Sequence, residues 1–142
     1  MPGFFFLWLS YLSGFFSAAH QEYDNEMKFA LLITGSPTQS QACQSAVDFC
    51  RAALSTGHDI YRIFLLDKAA ELAHQHCDNR PLQHEWQTLQ KNHQLDIIAC
   101  VNSAREFQIS DKNNLANGFV ISGMGQLIDA SANADRLITF GG

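Results

Sequence analysis

Residues 28–37 read KFALLITGSP, and this short apolar run with the turn that ends it decides the fold. A continuous apolar run from Lys28 to Thr34 is typical of a strand that is buried on both faces of a parallel sheet. Gly35, Ser36 and Pro37 then stop the strand. Parallel neighbours need crossover connections, so the sequence predicts helices between this strand and the next ones.

The rest of the chain repeats the same alternation of strand and helix. From Ser40 the apolar spacing becomes helical, and Gly57 is placed to end that helix. Further strands are predicted at 60–66, 95–101 and 136–140, with a short apolar run at 119–121, and further helices near 69–76, 82–92 and 126–132. The pattern predicts a single α/β domain with a largely parallel sheet flanked by helices.

Size and charge limit the classes of function. The chain has 142 residues, of which 46% are hydrophobic and 16% charged, and its formal net charge is -5. These values suit one globular domain with a sizeable core. Clustered Lys and Arg are missing, so we expect no direct binding of nucleic acid.

The first 26 residues differ from the rest of the chain. Gly3 to Ala19 contains no charged residue but is short and interrupted for a membrane span, and no Lys or Arg precedes it as in a signal peptide. We expect residues 1–26 to be an upstream extension, with translation starting at Met27. A signal peptide and a membrane anchor are the alternatives. The domain is then 27–142.

Cys100 is the most chemically interesting of the cysteines, which form no C-x-x-C pair. It ends a predicted strand, and a helical turn after it would present amides that lower the pKa of its thiol. Arg105 could add positive charge. On sequence position alone, a buried, inert thiol is the favoured interpretation, because free cysteines are among the most buried residues, and residue chemistry does not exclude the nucleophile. Cys43 and Cys50 are seven residues apart on one helical face and are expected to pack in the core.

Other candidate sites are weaker. His74, His76, Cys77 and His84 match no structural zinc spacing, so we expect no metal. The loop from Gly35 to Ser40 precedes a helix but lacks the phosphate-binding motifs, and we expect its hydroxyls to cap that helix.

Several segments together resemble the DsrE family of sulfur-relay proteins. They are Thr34-Gly35, the strand end Cys100-Val101, residues 117–127 (NGFVISGMGQL) and residues 134–140 (ADRLITF). The resemblance covers about residues 27–140. It implies a DsrE/DsrF-like α/β sandwich, and it places the family's active cysteine at the end of the third strand, which here is Cys100.

The resemblance also implies a function and partners. It implies a cytoplasmic sulfurtransferase subunit that assembles with TusB-like and TusC-like subunits into a heterohexamer. Cys100 would accept persulfide sulfur from a TusA-like donor and pass it to a TusE-like acceptor for 2-thiouridine synthesis at the tRNA wobble position. No metal, organic cofactor or membrane contact is implied. For this exchange we expect Cys100 in an exposed or interface-lined pocket.

Two alternatives stay open. A flavodoxin-like module would bind a ligand phosphate at the Thr34 to Ser40 loop and use Cys100 for packing only. A non-catalytic structural subunit of a DsrEFH-type sulfur-oxidation complex would also need no reactive thiol. The chain departs from its relatives after the cysteine, since residues 102–107 (NSAREF) stand where they often have small residues and an Arg-Gly pair.

Overall fold

The computed structural model describes residues 26–142. The expectation for the apolar leader therefore concerns residues that, apart from Glu26, lie outside the described part of the chain. Within residues 26–142, no helix combines the length and the apolar character that crossing a bilayer requires.

Five strands and four α-helices alternate along the described chain. The strands are β1 (Lys28–Ile33), β2 (Asp59–Leu65), β3 (Ile97–Cys100), β4 (Val120–Ser122) and β5 (Arg136–Phe140). The helices are α1 (Ala42–Ser55), α2 (Arg80–His93), α3 (Val101–Glu106) and α4 (Gly125–Asn133), with a 3₁₀ helix at Asp67–Ala73 between β2 and α2.

The strands form one sheet in the order β4-β3-β2-β1-β5, and every neighbouring pair is parallel. The predicted single α/β domain with a parallel sheet is confirmed. Because β5 lies beside β1 on the side away from β2, the strand order reverses at β1. Sites in open α/β sheets gather at such a switch point, beyond the carboxyl ends of the strands.

The two faces of the sheet are covered unequally. The larger core joins one face to α1, α2 and the 3₁₀ helix, and Trp86 of α2 is fully buried in it. The other face carries a small cluster of Phe64, Ile98 and Cys100. Within residues 26–142, the helix that packs on this small cluster is α4, through Leu127.

Two predicted elements differ from the structure. Val101 was expected to end the third strand but begins α3, so the backbone turns directly from strand to helix at Cys100. The predicted helix at 69–76 is instead a 3₁₀ helix at 67–73. The buried side chain of Gln83 donates hydrogen bonds to the carbonyls of Leu72 and His74, which satisfies the backbone where this helix ends.

Candidate functional site

Cys100 is the last residue of β3 and the residue immediately before α3. All four residues of β3 are buried, and α3 follows without a connecting loop. The β-branched Ile97 and Ile98 favour a strand, whereas the residues after Val101 are polar or small and suit a helix. The thiol therefore lies at the carboxyl edge of the parallel sheet.

The side chain of Cys100 points into the small apolar cluster rather than into solvent. It is only 2% exposed and lies with Phe64 and Ile98, against which Leu66 and Leu127 pack. The thiol makes no capping hydrogen bond to α3. We expected an exposed or an interface-lined pocket. The exposed pocket is wrong for this chain on its own, because a leucine of α4 and a leucine after β2 cover the cluster, and the interface-lined pocket stays a prediction.

Ser103 ties α3 to the end of β2. Its buried hydroxyl accepts a hydrogen bond of 2.8 Å from the backbone N–H of Asp67, a residue with a positive φ of 54°. A non-glycine residue in that region is strained unless its surroundings hold it there. Ser103 therefore fixes both the start of the 3₁₀ helix and the position of α3. No local sequence pattern indicates this contact, because it joins residues that are 36 positions apart.

Arg105 is exposed and turned toward its own helix. Its Nη1 donates a hydrogen bond of 3.2 Å to Oδ1 of Asn102. Five residues of helix separate Arg105 from Cys100 by roughly 7.5 Å along the axis. The structure therefore places this positive charge near the thiol's helix but outside the apolar cluster.

A polar cleft of about 510 Å³ opens at the same edge of the sheet. It joins the loop after β1 to Asp67 and Lys68 after β2 and to Glu106 at the end of α3. The Gly35 to Ser40 loop that the sequence singled out is thus brought next to the residues that follow β2 and to the end of the helix that follows Cys100. Cys100 itself does not line the cleft.

The hydroxyls of the loop after β1 are used within the loop. Ser36 Oγ accepts hydrogen bonds from the N–H groups of Thr38 and Gln39, and Ser40 Oγ accepts one from Ala42. The prediction that these hydroxyls cap the helix holds for Ser40 alone, which accepts a hydrogen bond from the first N–H of α1; Ser36 bonds amides of the loop, and the N-cap residue Gln41 makes no side-chain cap. These contacts also leave fewer donors for the phosphate that a flavodoxin-like module would bind.

Cys43 and Cys50 lie in the larger core, and the prediction that they pack there is confirmed. Both are fully buried, and the Cys43 thiol donates a hydrogen bond of 3.5 Å to the carbonyl of Gly35. Burial raises the pKa of each thiol from 9.0 to about 12. Burial also raises the pKa of Cys77. Such thiols carry little thiolate near neutral pH and are poor nucleophiles.

The raised pKa values of Cys43 and Cys50 predict a loss of stability in alkali. Above pH 9.0 the unfolded chain releases these two protons, while the folded chain retains them until about pH 12. The free energy of unfolding should therefore fall as pH rises through this window, by up to about 1.4 kcal/mol per pH unit for each thiol. Urea unfolding at several pH values measures this slope.

The matched variant for this measurement is the double substitution Cys43→Ala and Cys50→Ala. Tyrosines and lysines titrate in the same window in both proteins, so the difference between the two slopes isolates the thiols. Equal slopes would contradict the assignment of these thiols to a desolvated core.

The histidines do not form a metal site with Cys77. His74, His76 and Cys77 line a cleft of about 300 Å³, whereas His84 lies on another cleft beside α2. His74 Nδ1 accepts a hydrogen bond of 2.9 Å from the backbone N–H of His76 and is therefore occupied. Among residues 26–142, no three His, Cys, Asp or Glu side chains are grouped to hold a metal ion.

Comparisons with known proteins show that the chain belongs to one family. The model of the DsrE/DsrF-like family matches residues 27–140. The chain is 37% identical to the DsrE protein of Allochromatium vinosum over an alignment 129 positions long, which covers 81% of this chain and 99% of that protein. It is 33% identical to the sulfurtransferase TusD of Erwinia tasmaniensis over an alignment 128 positions long, which covers 80% of this chain and 100% of TusD.

Solved structures show the same fold at low sequence identity. The ychN protein from E. coli superposes with a TM-score of 0.67 at 17% identity and covers 80% of this chain and 99% of its own. MTH1491 from Methanobacterium thermoautotrophicum gives a TM-score of 0.61 at 13% identity, with the same coverage. At these identities, the likeness describes the fold alone.

Proposed function

Because this chain belongs to the DsrE/DsrF-like family and is a sulfurtransferase of the DsrE/TusD type, we propose that Cys100 is the residue that carries the sulfur. The observation that carries the proposal is the position of this thiol. Cys100 ends β3 at the carboxyl edge of the sheet, which is where the family resemblance places the active cysteine. Cys43 and Cys50 lie in the larger core on the other face of the sheet, and burial raises their pKa values.

The proposed reaction is a persulfide transfer without net oxidation. The Cys100 thiolate attacks the outer sulfur of a donor persulfide, the donor S–S bond breaks, and the donor leaves as a thiolate. A new S–S bond on Cys100 holds the transferred sulfur with its proton. An acceptor thiolate then attacks that outer sulfur, and Cys100 leaves as the thiolate. The exchange follows the rules of thiol–disulfide chemistry and needs no metal or organic cofactor.

The proposed partners follow from the TusD likeness. The chain assembles with TusB-like and TusC-like subunits into a heterohexamer, receives sulfur from a TusA-like donor, and passes it to a TusE-like acceptor. The end product is 2-thiouridine at the tRNA wobble position, and we place the protein in the cytoplasm accordingly. The net charge of -5 is consistent with sulfur delivery through proteins rather than through direct contact with tRNA.

Peptide mass spectrometry tests the sulfur carrier. The protein is incubated with a cysteine desulfurase, cysteine and a TusA-like carrier, and is then digested with trypsin. Residues 92–105 form a tryptic peptide in which Cys100 is the one cysteine. We expect one added sulfur on this peptide and none on residues 29–51, which hold Cys43 and Cys50.

The burial of Cys100 favours one competing function. A thiol that is only 2% exposed suits a structural subunit of a DsrEFH-type complex that carries no sulfur itself. The same experiment separates the two functions when the companion subunits are added. Absence of sulfur from residues 92–105 under those conditions would favour the structural subunit.

A further inference from the structure

The packing of α4 on the sheet is thin. Ala130 is the one residue of this helix that is fully buried, and Leu127 is partly buried against the cluster of Phe64, Ile98 and Cys100. Ile128 is 67% exposed. Few apolar contacts therefore hold α4 in place, and segments with few buried contacts open most readily.

A polar clasp of Arg62, Tyr61 and Asp129 also holds α4. Arg62 Nη1 donates hydrogen bonds to Asp129 Oδ2 at 2.8 Å and to the carbonyl of Gln126 at 3.0 Å. The Tyr61 hydroxyl donates to the same Asp129 oxygen at 2.9 Å. Arg62 is only 13% exposed and also pairs with Asp96 through its Nε at 2.7 Å.

An irregularity in β2 builds this clasp. Phe29 of β1 pairs with Ile60, and Ala30 pairs with Arg62, so Tyr61 is an extra residue in β2. Neighbouring residues of a regular strand point to opposite faces, whereas a bulge re-aims a side chain. Tyr61 and Arg62 can therefore both reach Asp129.

Two glycines stand at the entry to α4, Gly123 in the link from β4 and Gly125 as the first helical residue, and the folded structure needs neither of them. A Cβ added at Gly123 or Gly125 would meet nothing within 4 Å, and neither residue has a positive φ. Glycine at such positions adds conformational freedom rather than fit. The link between β4 and α4, which precedes Leu127, is thus the freest part of this segment.

We propose that α4 is a lid over Cys100, closed in this structure by the clasp, and that its N-terminal half lifts with Leu127 to admit a partner's cysteine. This inference rests on the proposed function, since a sulfur carrier must be reached by two other proteins. Tyr61, Arg62 and Asp129 are positioning residues, because they act on Cys100 only through α4.

Alkylation of Cys100 in the full chain tests the lid. The rate of iodoacetamide labelling is read on the tryptic peptide of residues 92–105, first for the native protein and then in denaturant. The native rate is expected to be much slower than the denatured one. Asp129→Ala removes the carboxylate of α4 from the clasp and should raise the native labelling rate by roughly fivefold. This is about the factor by which losing one exposed ion pair with its hydrogen bonds shifts an equilibrium.

Two further variants should respectively lower the labelling rate of Cys100 and leave it unchanged. The double substitution Gly123→Ala and Gly125→Ala stiffens the link and should lower the labelling rate of Cys100. Ser131→Ala changes an exposed residue of α4 outside the clasp and should leave the rate unchanged. Equal rates in the Asp129→Ala variant and the wild type would overturn the lid, and so would a native Cys100 that labels as fast as in denaturant.

The fully buried Cys43 and Cys50 report whether a variant has unfolded. Their peptide, residues 29–51, should stay unlabelled in Asp129→Ala. If this peptide becomes labelled, Asp129→Ala has unfolded and the double glycine variant is used in its place. An unchanged labelling rate of Cys100 in the glycine variant would then overturn the lid. Sulfur loading of the same proteins is measured separately. If Cys100 accepts sulfur but its labelling rate is the same in all variants, the lid is refuted and the sulfur carrier stands. If the labelling rate depends on the clasp but Cys100 accepts no sulfur, the sulfur carrier is refuted and the lid stands.

Discussion

Replacing Cys100 with Ser is expected to abolish sulfur loading of this chain. The hydroxyl of Ser is not ionised near neutral pH and cannot form a persulfide, so the peptide of residues 92–105 should gain no sulfur. The effect should be a complete loss rather than a reduction. Mass spectrometry after incubation with the desulfurase, cysteine and the TusA-like carrier measures it.

The environment of Cys100 requires a companion variant. A Ser hydroxyl left among Phe64 and Ile98 would cost about 1–3 kcal/mol, whereas one that turns to the N–H groups of α3 would cap that helix, so the stability of Cys100→Ser depends on which of the two it does. Cys100→Ala removes the sulfur without adding a polar group and should fold well, yet it should also fail to load.

Cys77→Ser is the matched control for these variants. Cys77 is a buried thiol outside β3 that lines the cleft beside the 3₁₀ helix. Its loss should leave loading at residues 92–105 intact. Continued loading of a Cys100→Ala protein, at whichever cysteine, would refute the assignment of Cys100 as the carrier.

Replacing Trp86 with Ala is expected to cost about 3–5 kcal/mol of unfolding free energy, the usual range for truncating a buried aromatic residue. Trp86 of α2 is fully buried, and its Nε1 donates a hydrogen bond of 3.3 Å to the carbonyl of Cys43 in α1. The substitution leaves a cavity between these helices and removes this hydrogen bond. Since total stability is commonly about 5–15 kcal/mol, the variant should be close to unfolding.

Urea unfolding followed by far-UV circular dichroism measures this loss without relying on tryptophan fluorescence. Trp86→Phe is the matched control, because it keeps most of the ring volume and loses the donor. It should cost clearly less than Trp86→Ala. A loss below about 1 kcal/mol for Trp86→Ala would mean that the helices repack over the site, contrary to the rigidity expected of a close-packed core.

Local sequence predicted the elements that local physics controls. The apolar run at 28–34 predicted β1, and the helical spacing after Ser40 predicted the buried face of α1 with Cys43 and Cys50. In both cases the residues within one element determine which of its faces is buried. The same reasoning placed Cys100 at the end of a buried strand, although the strand is shorter at both ends than the predicted 95–101.

The surroundings of Cys100 could not be predicted in this way. Leu127 covers its cluster because α4 crosses the second face of the sheet, and that path depends on β5 joining β1 rather than β4. Arg62 and Asp129, which hold α4, are 67 residues apart. Neither residue carries a local pattern that indicates the other.

The sequence by itself thus determined the fold class, the packing of α1 and the strand end that bears Cys100, because each depends on short-range periodicity. The tertiary structure alone decided that Cys100 is covered, that Ser103 holds Asp67, and that Arg62 clasps α4. These contacts depend on the order of strands in the sheet, which brings distant residues together and is not encoded in any one segment.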